Sequence, residues 1–67
     1  MDVCEEITRI ERALKKGRVP VAELLRRAGV DSSQWTRWKA GKQTPLMTTW
    51  AKIAGAFDGL MQERNAA

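Results

Sequence analysis

The chain has 67 residues, a net charge of +4, 43% hydrophobic residues, one cysteine and no histidine. This size and composition favour one small folded domain, with a stability of about 3–10 kcal/mol and no room for a large active site as well. A single cysteine excludes an intramolecular disulfide. Without histidine, the chain also lacks the usual side chains for a zinc site or for nucleophilic catalysis, so we predict no enzyme, no metal and no cofactor.

The first predicted helix covers residues 3–16. Asp2 can cap its start, and Gly17 follows its last turn. We interpret Cys4, in the first turn, as a small and partly buried apolar residue. The apolar residues recur at the spacing of one helix face: Val3, Ile7, Ile10 and Leu14.

Two short helices are predicted over residues 20–28 and 32–39. Pro20 suits a helix start, and Gly29 suits the position after a helix, where φ is often positive. Asp31 can cap the second helix, with Gln34 returning the bond three residues later, and Gly41 closes it. Helices this short are not stable alone in water, so we expect them to pack on each other and on the rest of the chain.

The second short helix has one apolar and one polar face. Trp35 and Trp38 are spaced i and i+3 and are predicted to face inward, as are Leu24, Leu25 and Ala28 on the helix before it. The residues left facing outward are Ser32, Ser33, Thr36, Arg37 and Lys39. Their side chains are compact hydrogen-bond donors and acceptors together with two cations, and such groups suit a DNA major groove.

The charge is unevenly distributed. Acidic residues are absent between Asp31 and Asp58, a window that contains Arg37, Lys39, Lys42 and Lys52. A polyanion would be attracted to this part of the chain. A solvated basic surface of a small protein explains the same charges.

The last apolar stripe follows a polar loop at residues 42–45. It consists of Met47, Trp50, Ala54, Phe57 and Met61, without a phase break. One helix to about residue 64 fits this stripe. Gly55 and Gly59 each cost about 1 kcal/mol inside a helix, so we predict instead two helices, 46–57 and 58–64, with residues 65–67 fraying.

A set of spaced residues runs through roughly residues 19–57: Leu24-Leu25, Gly29-Val30, Trp35-Thr36-Arg37-Trp38, Gly41-Lys42, Pro45 and Ile53-Ala54. Taken together, this set resembles the phage repressor and Cro-type (xenobiotic-response-element-like) helix-turn-helix family of transcription regulators. The resemblance implies a compact all-α domain of four to five helices with a helix-turn-helix, whose third helix lies in the major groove. It also implies a cytoplasmic protein of a bacterial cell or a phage-infected host.

The resemblance implies roles for individual residues. Expected base contacts are Ser32, Ser33, Gln34, Thr36 and Arg37. Expected phosphate contacts are Lys39, Lys42, Gln43 and Thr44. The expected core of the motif is Leu24, Trp35, Trp38, Trp50 and Ile53. Two departures from the family matter: Val21 stands where a phosphate-binding glutamine is frequent, and serines replace longer amides at the start of the recognition helix. Direct readout is therefore expected to rest mainly on Arg37, with guanine as its partner, and secondarily on Gln34.

Two functions of different classes follow. The first is a sequence-specific double-stranded DNA-binding regulator, a repressor, Cro-like protein or activator. It is expected to bind a palindrome as a homodimer through Phe57, Leu60 and Met61. The alternative is a protein-interaction or antitoxin-like module with the same fold. RNA binding is disfavoured because no outward aromatic residue is evident for base stacking. No membrane partner is expected, because no apolar run reaches a membrane span and the acidic N-terminus is unlike a signal peptide.

Overall fold

Four helices make up the part of the chain that the computed structural model describes, residues 2–66 with the side chains of residues 2–64. They are α1 (Val3–Lys16), α2 (Val21–Ala28), α3 (Ser32–Lys39) and α4 (Met47–Ala66), and no strand occurs within these residues. The prediction of an all-α fold is confirmed. The domain is compact, with a radius of gyration of 11.4 Å. Of the three residues expected to fray, 65 and 66 belong to α4, and residue 67 lies outside the described part.

Local capping explains the ends of α1. The Asp2 carboxylate accepts hydrogen bonds from the backbone N–H groups of Cys4 and Glu5, at 3.0 and 3.4 Å. At the other end, the Gly17 N–H donates to the Ala13 carbonyl at 3.0 Å. The helix buries Ile7, Ile10 and Leu14, so its predicted apolar face is the one that enters the core.

The turn between α2 and α3 is built around Gly29, which adopts the left-handed conformation with φ of 71°. The next residue, Val30, donates its N–H to the Leu25 carbonyl at 2.9 Å and closes the end of α2. Asp31 and Gln34 then form a capping box at the start of α3. Pro20 precedes α2 as its N-cap instead of opening it.

The predicted break in the last helix is wrong, because α4 is continuous from Met47 to Ala66. Ile53 and Leu60 are both buried, and they lie seven residues, or two turns, apart on the same side of the helix. Each contributes about 1.5–3 kcal/mol by burial, which outweighs the cost of about 1 kcal/mol for each helical glycine.

Each short helix lies mainly against one long helix: α3 against α1, and α2 against α4. The sequence predicted that α2 and α3 also pack on each other, but their main contacts are with the long helices. One apolar core is shared by all four helices and the two connections before α2 and α3. Its buried members are Ile7, Ile10, Leu14, Val19, Leu24, Leu25, Ala28, Val30, Trp35, Trp38, Ile53 and Leu60.

Candidate nucleic-acid interface

The two faces of α3 have opposite environments. Trp35 and Trp38 are 4% and 3% exposed and contact each other edge to face, with ring centroids 6.2 Å apart. Successive residues are about 100° apart around a helix, so residues that avoid the tryptophan side form the opposite arc. We call this arc the outward face of α3, and its residues are all exposed: Ser32, Ser33, Thr36 and Arg37.

The hydroxyl groups of the outward face are oriented by the helix itself. Ser33 donates to the Asp31 carboxylate, and Thr36 Oγ1 donates to the Ser32 carbonyl at 3.0 Å. Both hydroxyl protons are therefore in use, and the oxygen lone pairs remain available as acceptors. Arg37 forms no ion pair with any side chain in residues 2–64. Its guanidinium is the strongest donor group on this face.

Gln34 is set apart from the other predicted base contacts. Its side chain is half-buried, and its Oε1 accepts the backbone N–H of Asp31 at 3.4 Å. The amide oxygen of Gln34, a side chain that the sequence assigned to both capping and base contact, is thus engaged in capping. The outward face of α3 retains four of the five residues predicted to contact bases.

Lys39 has an ion partner that the sequence interpretation missed. Its Nζ lies 3.0 Å from Oε1 of Glu11 on α1. The other carboxylate oxygen of Glu11 accepts the indole N–H of Trp35 at 3.1 Å. The sequence does indicate that Glu11 lies near a packing interface, because it follows Ile7 by one helical turn and so lies beside the apolar face of α1. Nothing in the sequence indicates that Lys39 on α3 is its partner.

The loop after α3 presents the remaining predicted phosphate contacts. Gly41 has a positive φ of 76°, and the backbone N–H of Lys42 donates to the Arg37 carbonyl at 2.9 Å. The side chains of Lys42, Gln43 and Thr44 are exposed. Lys42 has no acidic partner within the described side chains, so its ammonium lies beside the end of α3 without a countercharge.

Four of the five residues predicted as the core of the motif are buried: Leu24, Trp35, Trp38 and Ile53. Trp50 is only half-buried and packs at the edge of the core. It lies in the first turn of α4, one turn before Ile53, and remains partly exposed. The prediction of Trp50 as a core residue therefore holds in part.

The predicted dimer surface is not available as a whole. Leu60 is 5% exposed in the chain's own core, and Phe57 and Met61 pack against that core. The sequence interpretation assumed that little core remained for these residues to cover, which is wrong because the continuous α4 extends across the core. Among the described side chains, the exposed large apolar ones lie at the start of α4: Leu46, just before the helix, at 72% and Met47, its first residue, at 80%.

Cys4 supports the end of α3 from α1. Its half-buried thiol lies 3.6 Å from the carbonyl oxygens of both Trp38 and Lys39. These carbonyls belong to the last turn of α3, where backbone acceptors lack partners within the helix. The interpretation of Cys4 as a partly buried packing residue agrees with this position.

An exposed ion pair between Arg27 and Glu63 joins α2 to α4, and Arg27 also pairs with Glu23 within α2. Arg27 Nη2 donates to Oε1 of Glu63 at 2.9 Å, and Arg27 Nε donates to Glu23 at 3.5 Å. The hydrogen bond from Arg27 lowers the pKa of Glu63, and the same bond raises the pKa of Arg27. Beside them, a pocket of about 410 Å³ is lined by Val19, Pro20, Glu23, Leu60, Glu63 and Arg64.

Within the described residues, no helix is both long enough and apolar enough to span a bilayer. The same part of the chain contains no group of three or more histidine, cysteine, aspartate or glutamate residues placed to hold a metal ion. Comparisons with protein-family models, curated proteins and solved structures give no match to this chain.

Proposed function

We propose that the chain is a sequence-specific double-stranded DNA-binding transcription regulator of the phage repressor and Cro type. In this proposal α2, the Gly29 turn and α3 act as a helix-turn-helix, and α3 enters the major groove. The observation that supports it best is the outward face of α3. This face is exposed and contains no acidic residue, and its Arg37 has no ion partner among the side chains of residues 2–64, while the indoles of Trp35 and Trp38 on the opposite face are buried.

Base recognition depends mainly on Arg37. An α-helix is about 10–12 Å across with its side chains, which matches a major groove about 12 Å wide. A guanidinium donates two hydrogen bonds to O6 and N7 of guanine, and such a pair is worth about 1–3 kcal/mol of discrimination. Ser32, Ser33 and Thr36 offer acceptor oxygens and, at Thr36, a methyl group for the thymine methyl, which discriminate less sharply.

Affinity without sequence preference depends on the loop after α3. Lys42, Gln43 and Thr44 are exposed there, and cationic or polar groups at such a position bind phosphate oxygens. Each phosphate neutralised by a lysine releases counterions, which makes binding weaker as salt increases. The regulator would act in the cytoplasm of a bacterial cell or a phage-infected host.

The proposal includes a second copy of the chain. One recognition helix contacts about four to six base pairs, which is too few for specificity in a genome, and two copies on a palindrome double that number. The burial of Leu60 removes it from the surface first expected to join the copies. Selection of bound sequences from a random duplex pool would recover a palindrome with two half-sites; a single unpaired half-site would contradict the dimer.

Two substitutions test the division between base and phosphate contacts. Arg37→Ala is expected to cost about 1–3 kcal/mol on the selected duplex and much less on random duplex. Lys42→Ala is expected to weaken all duplexes alike and to flatten the plot of log K against log salt by about one. Arg9→Ala, which removes an exposed arginine paired with Glu6 on α1, is the matched control. Gel shifts in which Arg37→Ala weakens both duplexes equally would contradict the assignment.

The alternative of a protein-interaction or antitoxin-like module is favoured by one observation. Leu46 and Met47 are large, apolar, adjacent and exposed, and contiguous exposed apolar side chains often mark protein contacts. Under this alternative, the unchanged chain would bind duplex DNA weakly and without a steep salt dependence. Tight, salt-dependent duplex binding that persists in a Leu46→Ser, Met47→Ser double variant would exclude it.

A further inference from the structure

The carboxylate of Glu11 contacts two residues of α3 at once. Its Oε2 accepts the Trp35 indole N–H at 3.1 Å, and its Oε1 lies 3.0 Å from the Lys39 ammonium. Glu11 belongs to α1, so both contacts cross the α1–α3 packing interface. No other ion pair among the described side chains connects α3 to another helix.

The hydrogen bond to Trp35 and the ion pair with Lys39 differ in how much they stabilise the position of α3. Trp35 is 4% exposed, and a buried indole N–H without a partner is costly because it has lost its water. The side chains of Lys39 and Glu11 are 55% and 25% exposed, so solvent partly screens their ion pair. The indole bond therefore fixes where α3 lies, and the ion pair decides whether Lys39 acts as a free cation.

We propose that Glu11 is a positioning residue for DNA recognition that also withholds Lys39 from the phosphate backbone. The inference rests on the proposed function. The carboxylate occupies the place at the ammonium that a phosphate oxygen would otherwise take. Lys39, which the sequence assigned to phosphate contact, then contributes little to the electrostatic part of binding. Lys42, without such a partner, contributes fully.

The Glu11→Gln variant separates the two roles. A glutamine retains a carbonyl oxygen for the Trp35 indole and loses the charge that holds Lys39. We expect tighter binding to every duplex alike and a plot of log K against log salt that is steeper by about 0.9. The gain in affinity should consequently shrink about threefold to fourfold between roughly 50 and 200 mM salt.

Lys39→Ala provides the matched control and does not depend on the folding of a Glu11 variant. In the unchanged background Lys39→Ala leaves the Glu11 carboxylate without its ion partner, so the salt slope should flatten, but by less than when Lys39 is removed from the Glu11→Gln background. In the Glu11→Gln background it should abolish the gain, which closes a double-mutant cycle for the pair. A slope that flattens by about one in Lys39→Ala alone would overturn the inference.

A separate measurement tests whether Glu11 positions α3 through the Trp35 indole. Glu11→Ala removes the acceptor, so the Trp35 indole proton should exchange with solvent faster by NMR, and discrimination between selected and random duplex should fall. Glu11→Gln should retain both the protection and the discrimination. Equal loss in the two variants would contradict the role of the indole bond.

The failure of this inference is distinguishable from the failure of the proposed function. If the unchanged protein shows no salt-dependent binding to a random duplex pool, both are overturned. If it binds, and Glu11→Gln leaves the salt slope unchanged, only the role of Glu11 is overturned.

Discussion

The α1–α3 contact and the α2–α4 contact hold the two short helices by different means. Helix α3 is held by two buried indoles and the single carboxylate of Glu11. Helix α2 is held by aliphatic side chains, such as the fully buried Leu24, with an exposed ion pair at the rim between Arg27 and Glu63. In the α1–α3 contact, the stabilising free energy is concentrated in a few large groups, which leaves the rest of α3 free to face a ligand. In the α2–α4 contact, it is distributed over many smaller side chains.

The largest expected effect comes from the concentrated contact. Trp35→Ala removes a 4% exposed indole and should cost about 3–5 kcal/mol. A chain of this size has a total stability of about 3–10 kcal/mol, so we expect an unfolded protein instead of a folded protein that fails to bind. Thermal unfolding followed by circular dichroism measures this.

Trp35→Phe is the control for that experiment. It keeps a large ring in the core and removes only the donor to Glu11, so the loss should be clearly smaller than for alanine. A cooperative transition of Trp35→Ala near the temperature of the unchanged protein would mean that the α1–α3 contact is not concentrated in this indole.

Alanine substitutions at two glycines, Gly29 in the turn between α2 and α3 and Gly55 inside α4, test how much the turn conformation contributes to stability. A Cβ added at Gly29 or at Gly55 would meet no atom within 4 Å, so neither substitution is opposed by crowding. Gly29 has a φ of 71°, and alanine there should cost about 1–2 kcal/mol because L-residues disfavour that conformation. Gly55 lies inside α4, where alanine should add about 1 kcal/mol. Urea unfolding should therefore give opposite signs, and equal signs would contradict the account.

Local signals explain why much of the fold could be predicted. The caps at Asp2 and Asp31 and the glycine after α2 act within three or four residues of themselves, and the bounds of α1 and α3 follow from them. The burial of Trp35 and Trp38 followed from their spacing on one helix face. The outward face of α3 was predicted for the same reason, since it is what remains.

The features that the sequence did not predict depend on contacts between distant residues. The continuity of α4 is decided by the burial of Leu60 in a core assembled from all four helices. The pairing of Glu11 with Lys39 joins residues 28 positions apart. No local pattern distinguishes a lysine that will meet a carboxylate from one that will meet solvent, so Lys39 and Lys42 looked alike in the sequence and differ in the fold.

The smallest expected effect belongs to the distributed contact. Because Arg27 lowers the pKa of Glu63, this pair stabilises the folded state fully above the ordinary glutamate pKa. The contribution is lost as the pH falls through the lowered pKa of the folded state. Glu63→Gln should therefore destabilise the protein slightly near pH 7 and progressively less in acid, since exposed pairs contribute little.

Urea unfolding of the unchanged protein and of Glu63→Gln across the acidic range measures this difference. Asp58→Asn, on the same helix and without an ion partner in the described part of the chain, is the matched control. A difference that stays constant as Glu63 becomes protonated would show that its charge is not what joins α2 to α4. A loss as large as that of Trp35→Ala would mean that the α2–α4 contact is as concentrated as the one that holds α3.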